Sequence, residues 1–450
     1  MTKTLGEILE PPRTTPIALQ ADVVVVGGGP AGIAAAVAAA RAGARALLVE
    51  RYGFLGGAGT AAGVTNFCGL YAVREGQPFR VVRGIASELT EALARIGAAV
   101  DPQPAMGGRT FGAQDDTSAL KRVADELLLG VGVVLRFHTL VAGAVVEGGR
   151  IRALLTESKS GRQAIAGRVF VDATGDADLA AFAGAPFETG DDTGALQSPT
   201  LMFRLAGVDN KTAEREGIPR LRELMAEADR SGAYRFPRLS AIVRPQPFAG
   251  EWRANMTRIT RPGATVDGTD AGDLTFAEVE GRRQVETYAR FLREWIPGFE
   301  RSRVIEIAPQ IGIRETRRIV GRYVLTEDDV LGQANFADAI GCNPWPVERH
   351  TGDTEIEWRW IPGRGYHQIP YRCLLPTGVE NLLVAGRCVS ATSIAQSSVR
   401  VSGPCFVTGQ AAGLAAALCA GTGALPADLD AALLQQCLAE QGAFLGGLHE

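Results

Sequence analysis

The feature that most constrains the fold is a glycine-rich turn between an apolar run and an alanine-rich segment. Residues 23–50 read VVVVGGGPAGIAAAVAAARAGARALLVE. An uninterrupted valine run is typical of a parallel strand covered on both faces, and Pro30 stands where a helix can begin without its N–H. The pattern predicts a strand, a helix over 33–42, and a second strand over 45–49 that ends at Glu50. We therefore expect a parallel β–α–β unit.

The glycine spacing of this turn indicates a dinucleotide site. The first glycine of the G-x-G-x-x-G pattern permits a tight turn, the second lets backbone approach a pyrophosphate, and the third lets the helix press against the strand. Glu50, about twenty residues downstream, is placed to accept hydrogen bonds from a ribose. The turn and helix residues expected at the dinucleotide are Gly27, Gly29, Pro30, Ala31 and Gly32. This stretch alone leaves NAD and FAD equally possible.

Downstream segments favour FAD. A second glycine-rich loop, RYGFLGGAGTAAG, follows the acidic residue at 51–63, and RVFVDATGDADLA at 168–180 is a strand that runs into small residues. NLLVAGRCVSA at 381–391 is again a strand followed by glycine. We expect an alanine-rich helix over 403–421, with N-terminal amides placed to face a flavin carbonyl. The further expected cofactor contacts are Arg51, Gly56, Gly57, Ala173, Thr174, Gly175, Gly386, Arg387 and Gly409.

This series of segments resembles the FAD-dependent oxidoreductase family with a glutathione-reductase-like flavin domain. The resemblance sharpens at QIGIRETRRIVGRYVLTEDDV (310–330), HQIPYRCLLP (367–376) and NLLVAGRCVSATSIAQSSVR (381–400), and it extends from residue 22 to about 420. One departure is visible, because relatives often read A-T-H where this chain has Ala391-Thr392-Ser393. The resemblance implies an α/β protein in which a Rossmann-like FAD-binding domain carries an inserted mixed α+β substrate domain.

The expected domain organisation is discontinuous. The FAD-binding domain is assigned to 1–65, 110–186 and 372–450, the substrate domain to 187–371, and a connecting or cap segment to 66–109. Helical patterns at 85–96 and 117–129 flank a loop at 106–112 that we expect over the cofactor. In the substrate domain the patterns predict a strand at 200–205 and helices at 220–228 and 276–295.

A second strand–G-x-G-x-x-G–helix unit, which many NAD(P)H-using relatives carry, is missing. The favoured function is therefore a dehydrogenase or oxidase that transfers hydride from a small organic substrate, such as one bearing a carboxylate, to flavin N5. The electron acceptor stays open among oxygen, a quinone or another compound. The alternatives are an NAD(P)H-using flavin monooxygenase or reductase, an FAD-containing lyase or hydratase, and a tRNA-modifying flavoprotein.

The candidate catalytic side chains come from the family-like segments and the few histidines. His367 and His350 are candidate bases because a histidine titrates near neutrality. Tyr371 is a further candidate, and Arg314 is a candidate carboxylate ligand because guanidinium forks bind carboxylates bidentately. The weaker candidates, each with a structural reading at least as good, are Arg204, Arg317, Arg318, Arg400, Cys68 and His138, the last expected on a strand.

Composition limits the partners and the compartment. A formal net charge of −4 over 450 residues argues against nucleic acid as a partner. The seven cysteines are scattered without a C-x-x-C pair, so we expect no disulfide scaffold and no metal site. Residues 23–49 hold glycines, a proline and two arginines, which a bilayer core would penalise, and MTKTLGEILEPPRTTP lacks the apolar stretch of a signal peptide. We expect a cytoplasmic protein with non-covalent FAD, a small-molecule substrate and no membrane span.

Overall fold

The architecture comes from a computed structural model of the chain, which describes residues 6, 8–261, 264–350 and 355–447. The first residues of the predicted 1–65 segment, the last of 372–450, and two short pieces of 187–371 lie outside the described residues. Those parts of the domain prediction therefore have no structural counterpart here.

Strands occur along the whole described chain. They are, in order, β1 (Ile17–Val26), β2 (Ala46–Val49), β3 (Asn66–Phe67), β4 (Tyr71–Arg74), β5 (Gln77–Arg80), β6 (Gln103–Ala105), β7 (Thr110–Gln114), β8 (Val134–Arg136), β9 (Leu140–Glu147), β10 (Arg150–Ser158), β11 (Gly161–Asp172), β12 (Phe187–Thr189), β13 (Phe203–Ala206), β14 (Ile242–Pro245), β15 (Trp252–Asn255), β16 (Arg303–Ile307), β17 (Arg317–Ile319), β18 (Ala339–Asn343), β19 (Val347–Arg349), β20 (Glu357–Arg359), β21 (His367–Pro370) and β22 (Leu382–Val384).

The α-helices alternate with these strands. They are α1 (Pro30–Arg41), α2 (Ile85–Arg95), α3 (Thr117–Gly130), α4 (Asp178–Phe182), α5 (Asn210–Thr212), α6 (Ile218–Arg230), α7 (Ala271–Trp295), α8 (Glu327–Leu331), α9 (Ser393–Val399), α10 (Ser402–Thr422) and α11 (Ala431–Glu440). A π-helical stretch, Ala213–Gly217, joins α5 to α6.

The central sheet has seven strands within the described residues. Strands β8, β2, β1 and β11 are parallel neighbours in that order, and β22 pairs in parallel with the carboxyl-terminal part of β11. Along its amino-terminal part β11 instead pairs with the antiparallel hairpin of β10 and β9. The predicted β–α–β unit is present, with the valines of β1 aligned with Ala46–Val49 of β2. The carboxyl ends of the parallel strands therefore meet at one edge of the sheet.

Two alanine-rich helices pack on the central sheet and cross each other at glycines. Built on Gly413 of α10, a Cβ would stand 1.9 Å from the Ala35 carbonyl oxygen of α1, and one on Gly409 would stand 2.1 Å from that of Ala31. Side chains larger than hydrogen are excluded at both contacts, which explains the small-residue composition of the segment. By length and composition α10 could cross a membrane, but 78% of its most apolar window is buried inside the protein, as in a core helix.

A second, antiparallel sheet has the order β14-β15-β13-β16 and carries its own core. Its apolar residues include Trp252, Phe203 and Phe299, and they form one cluster with residues of α6 and α7. The α7 helix begins five residues before the predicted 276–295 because the Asp270 side chain accepts a hydrogen bond from the Asp273 N–H and caps it there. The predicted strand at 200–205 starts instead at Phe203, because Thr200 makes only an isolated bridge to Gly312.

Short sheets fill the space between the two larger ones. Strand β7 pairs with β3 and β6, so 110–114 shares a sheet with the segment 66–109 that the sequence pattern separated from it. The expectation that His138 lies on a strand was wrong. It has a left-handed backbone (φ +51°) in the turn between β8 and β9, where its N–H donates to the Tyr52 carbonyl.

Candidate functional site

A cavity of about 340 Å³ opens at the edge where the parallel strands end. This edge is where α/β proteins with open parallel sheets bind their ligands. One part of the cavity is bounded by the glycine turn after β1 and by the residues that follow β2, β11 and β22. The other part is bounded by β7, β14, β15 and the segments around 310–314 and 345–358.

The glycine turn has a shape that only glycine allows. Gly27 has φ +98°, and a Cβ there would stand 2.5 Å from the Ala173 carbonyl oxygen of the neighbouring strand end. A Cβ on Gly32 would stand 1.7 Å from the Gly27 oxygen, so this third glycine serves the contact of α1 with the turn. Gly32 does not line the cavity, and the expectation that it contacts the cofactor is corrected to a packing role.

Glu50 lies beside the turn, as the spacing predicts. Its Oε2 accepts a hydrogen bond from the Gly28 N–H at 2.6 Å and its Oε1 accepts one from the Tyr52 N–H at 2.9 Å. The side chain is buried and lines the cavity. These two bonds fix the carboxylate at the end of β2, where it faces the space next to the glycine turn.

Most of the residues expected at the cofactor line this cavity. Those that do are Gly27, Gly29, Pro30, Ala31, Glu50, Arg51, Gly56, Gly57, Ala173, Thr174, Gly175, Gly386 and Arg387. Gly409 does not, because its α-carbon faces the Ala31 backbone at the crossing of α1 and α10. Met106, Thr110, Phe111 and Gly112, from the loop expected over the cofactor, line it as well.

Residues at the amino end of α10 also line the cavity. Val401, Ser402, Cys405 and Phe406 line it there. The Ser402 hydroxyl accepts a hydrogen bond from the Cys68 N–H at 2.9 Å and so joins α10 to the segment after β3. Cys68 lines the cavity too, and burial raises the pKa of its thiol to about 12, so the group is a neutral thiol at physiological pH.

Four arginines from the second sheet and from neighbouring segments line the cavity. Arg244, Arg253, Arg314 and Arg400 line it. Arg253 is buried, its Nε has no hydrogen-bond partner among the described residues, and the contact of its Nη1 is the Met202 sulfur at 3.5 Å. Arg314 is also buried and donates to the Ser198 carbonyl at 2.6 Å. Burial, followed by the charges of Arg400 and Arg238, holds the pKa of Arg314 well below its usual range.

Buried guanidiniums normally face a carboxylate, because an unpaired buried charge is strongly unfavourable. In the described part of the chain, no carboxylate oxygen lies within 4.0 Å of a side-chain nitrogen of Arg253 or Arg314. The two arginines therefore line the cavity without a carboxylate in ion-pair range, which is an arrangement suited to an anionic ligand.

Glu348 is the carboxylate that does have partners here. Its Oε1 accepts from His350 Nε2 at 3.0 Å, and its Oε2 accepts from the Trp345 indole at 3.1 Å. Burial acts to raise the pKa of Glu348, but the His350 hydrogen bond and the Arg400 charge outweigh it and bring the pKa to about 2. Burial and the Arg314 charge hold the pKa of His350 well below its usual range, so the imidazole is a neutral donor.

The structure does not bring the predicted histidines and tyrosine to the cavity. His350 lies behind Glu348 and does not line it. His367 is fully buried, its Nδ1 bonds the Gln368 carbonyl at 2.9 Å, its Nε2 contacts Asn343 Nδ2 at 3.0 Å, and burial lowers its pKa to about 4. The Tyr371 hydroxyl donates to the Pro426 carbonyl at 2.9 Å. Both ring systems have their hydrogen bonds satisfied inside the protein, so Arg314 is the predicted catalytic residue that reaches the cavity.

The remaining arginine candidates form internal ion pairs. Arg318 pairs with Glu315, which also accepts a hydrogen bond from Ser393 Oγ at 2.7 Å. The serine that replaces the expected histidine is therefore part of a buried structural network. Arg204 pairs with Glu251 and Glu306, and Arg317 with Asp178, and neither arginine lines the cavity.

Several cavity residues were missed by sequence reasoning, chiefly Asp115, Arg244, Arg253, Asn255 and Glu348. Asp115 follows β7, is 1% exposed, and neither of its carboxylate oxygens has a hydrogen-bond partner among the described residues. Burial raises its pKa to about 8, against the opposing charge of Arg253. The sequence contained one indication of this role, since two adjacent aspartates precede α3. Asp116 caps the helix, which leaves Asp115 without a local structural role.

Comparison with known proteins identifies the family to which this chain belongs. A family model described as FAD dependent oxidoreductase matches residues 22–438, and the chain belongs to this family. The protein is accordingly an enzyme whose cofactor is FAD. No curated protein sequence matches the chain significantly.

Solved structures with a similar arrangement share little sequence. A geranylgeranyl bacteriochlorophyll reductase-like protein from Thermoplasma acidophilum is 13% identical, with a TM-score of 0.47 over 95% of this chain and 84% of the other. The p-nitrophenol 4-monooxygenase of Pseudomonas putida is 14% identical, with a TM-score of 0.47 over 94% and 84%. The anhydrotetracycline hydroxylase OxyS of Streptomyces rimosus is 14% identical, with 0.46 over 94% and 66%.

Proposed function

We propose that the protein is an FAD-dependent dehydrogenase or oxidase that oxidises a small organic anion. The observation that carries this proposal is a cavity lined both by a dinucleotide-type glycine turn and by the buried guanidiniums of Arg253 and Arg314, neither of which has a carboxylate in ion-pair range among the described residues. A buried positive charge without a protein partner is expected to meet its partner in the substrate. We therefore assign the substrate carboxylate to these two arginines.

The residues present fit FAD in this cavity. A Cβ on Gly57 would stand 2.7 Å from the Gly29 α-carbon. The two glycine loops therefore touch through their backbones, and both glycines line the cavity without a side chain. Glu50 is held where a ribose would meet its carboxylate. Arg387 lines the cavity with its Nη1 buried and unpartnered among the described residues, while its Nη2 donates to Asp176 at 2.7 Å. That free nitrogen is a donor suited to an acceptor on the cofactor.

Each segment has a proposed part in holding the cofactor. The glycine turn and the first residues of α1 would hold the pyrophosphate, and Glu50 the adenosine ribose. Gly386, Arg387 and the amino end of α10 would lie at the isoalloxazine ring, where the positive end of the helix dipole favours negative charge. FAD bound there supplies a hydride acceptor. Non-covalent attachment is proposed, because the cavity-lining Cys68 is a neutral thiol.

The protein residues would fix the substrate and exclude water. Arg253 and Arg314 orient its carboxylate. Orientation of this kind lowers the activation free energy of the reaction, because rotational and translational entropy is lost on binding and not in the reacting step. Trp345 and Trp358 line the same part of the cavity and add apolar walls. The glutathione-reductase-like subtype, an inserted substrate domain built on the second sheet, and a cytoplasmic location belong to the same proposal.

Anaerobic mixing of the holoenzyme with small acids tests this function. The panel contains 2-hydroxy acids, 2-amino acids and dicarboxylates, each beside its methyl ester. Loss of flavin absorbance with an acid but not with its ester supports the proposal. Arg253→Gln should lose this preference, and Arg283→Gln, at an exposed ion pair on α7, should keep it. Reduction by NADH or NADPH with none by any acid would contradict the proposal and favour a monooxygenase or reductase.

A further inference from the structure

Asp115 is a buried carboxylate whose side chain has no hydrogen-bonding role among the described residues. It lies between the end of β7 and the cap of α3, and it lines the cavity. Both carboxylate oxygens lack a hydrogen-bond partner among the described residues, although the residue is only 1% exposed. Buried carboxylates are nearly always hydrogen-bonded, and an exception requires an explanation.

The adjacent aspartate shows what a structural role at this position looks like. Asp116 accepts a hydrogen bond from the Ala119 N–H at 2.8 Å and so caps α3, and it lies 3.9 Å from Arg204. The Asp115 side chain makes no such hydrogen bond with any of the described residues. Its backbone N–H donates a 3.5 Å hydrogen bond to the Thr65 carbonyl.

The charged and titratable groups around Asp115 come from three elements. Arg253 faces it from β15, Asp116 adjoins it at the start of α3, and Cys68, which interacts with the same arginine, lies after β3. Burial raises the pKa of Asp115 to about 8, Arg253 opposes the shift, and Asp116 adds to it. The group therefore changes its protonation close to neutral pH, as suits an acid–base catalyst.

We propose that Asp115 is the catalytic base of the reaction and that the substrate is a hydroxy acid or an amino acid. This inference rests on the proposed function, which assigns the substrate carboxylate to Arg253 and Arg314. A substrate with its carboxylate on Arg253 and a hydroxyl or amine on a nearby carbon would present an O–H or N–H proton to the Asp115 oxygens, which have no other donor.

The step balances with FAD as the oxidant. The C–H bond beside the oxygen or nitrogen breaks, and its hydrogen leaves with the electron pair for the oxidant. The O–H or N–H bond breaks, its proton forms an O–H bond on Asp115, and the electrons it leaves form the C=O or C=N double bond. The carboxyl group afterwards returns its proton to solvent.

The test compares Asp115→Asn with Asp125→Asn in the holoenzyme. Asp125 is a suitable control because burial also raises its pKa but it does not line the cavity. The wild type and Asp125→Asn should show an anaerobic rate of flavin reduction that rises with pH and levels off above about 8. Asp115→Asn should lose this step, with kcat reduced at least ~100-fold and KM changed less than ~3-fold. An Asp115→Asn rate and pH profile like those of the wild type would overturn the proposal.

A second readout needs no substrate. Infrared difference spectra of the holoenzyme between pH 6 and 10 should show the C=O stretch of a protonated carboxyl group disappearing with a midpoint near 8, in the wild type and Asp125→Asn but not in Asp115→Asn. Absence of this band in the wild type would overturn the proposal. FAD content and circular dichroism confirm that the variants fold. Failure of the proposed function is a separate result, in which no acid of the panel reduces the wild-type flavin.

Discussion

Replacing Asp115 with asparagine should stabilise the protein, and increasingly so as the pH rises. The folded pKa of Asp115 is about 8, whereas the ordinary value is 3.8. Between these two pH values the folded protein binds a proton that the unfolded chain has lost, so stability falls as pH rises. Asparagine resembles the neutral acid and does not titrate. The variant therefore removes a destabilisation that is absent below pH 3.8 and complete above pH 8.

The magnitude follows from the size of the shift. One pKa unit corresponds to about 1.4 kcal/mol, so the raised pKa of Asp115 destabilises the wild type by roughly 4 kcal/mol at pH 7 and by roughly 6 kcal/mol above pH 8. An unfolding entropy of about 2.1 cal/mol/K per residue gives roughly 1 kcal/mol/K for this chain. The Tm of Asp115→Asn should thus exceed that of the wild type by about 4 °C at pH 7, and by under about 1 °C at pH 4.

Differential scanning calorimetry of holoenzyme at equal FAD concentration, in steps from pH 4 to pH 9, measures this difference. Asp125→Asn serves as the control, because a part-exposed carboxylate in α3 contributes a smaller change. A Tm difference that stays constant with pH, or a variant less stable than the wild type at pH 8, would refute the assignment of a raised pKa to Asp115.

Three further predictions test the packing and the ligand contacts. Gly413→Ala should destabilise by about 1–3 kcal/mol, since its Cβ would stand 1.9 Å from a carbonyl of α1, whereas Gly421→Ala in the same helix meets no atom within 4 Å and should be neutral or stabilising in thermal melts. Glu50→Ala should weaken FAD binding about 10-fold or more, as measured by titrating the apoprotein, and an unchanged affinity would remove this residue from the ribose contact. Arg253→Gln should raise KM for the anionic substrate at least ~10-fold, while an unchanged KM would place the carboxylate elsewhere.

Local patterns carried most of the information about the fold. The valine run, the glycine spacing and Glu50 describe one continuous β–α–β unit, in which each residue has a role set by its immediate neighbours. The extents predicted for α1, α3 and α10 agree with the observed helices to within a few residues. Gly409 was misassigned because a glycine in a helix near a cofactor and a glycine at a helix crossing look the same in sequence.

The substrate end of the cavity could not be predicted in the same way. Arg253, Arg314 and Asp115 are far apart in the chain and come to line one cavity only in the folded protein. Burial without an ion-pair partner, the property that these three side chains share, belongs to the assembled structure. His367 and Tyr371 were favoured for their chemistry, but tertiary contacts satisfy them, through the Gln368 and Pro426 carbonyls.

The most direct test of the central claim is the absorption spectrum of the purified protein, followed by that of the supernatant after acid precipitation. The cavity described here should hold one non-covalent FAD, so we expect flavin bands in the native protein that pass into the supernatant in a 1:1 ratio to chain. A colourless protein that fails to take up added FAD would contradict the account. Colour that stays with the precipitate would contradict non-covalent binding.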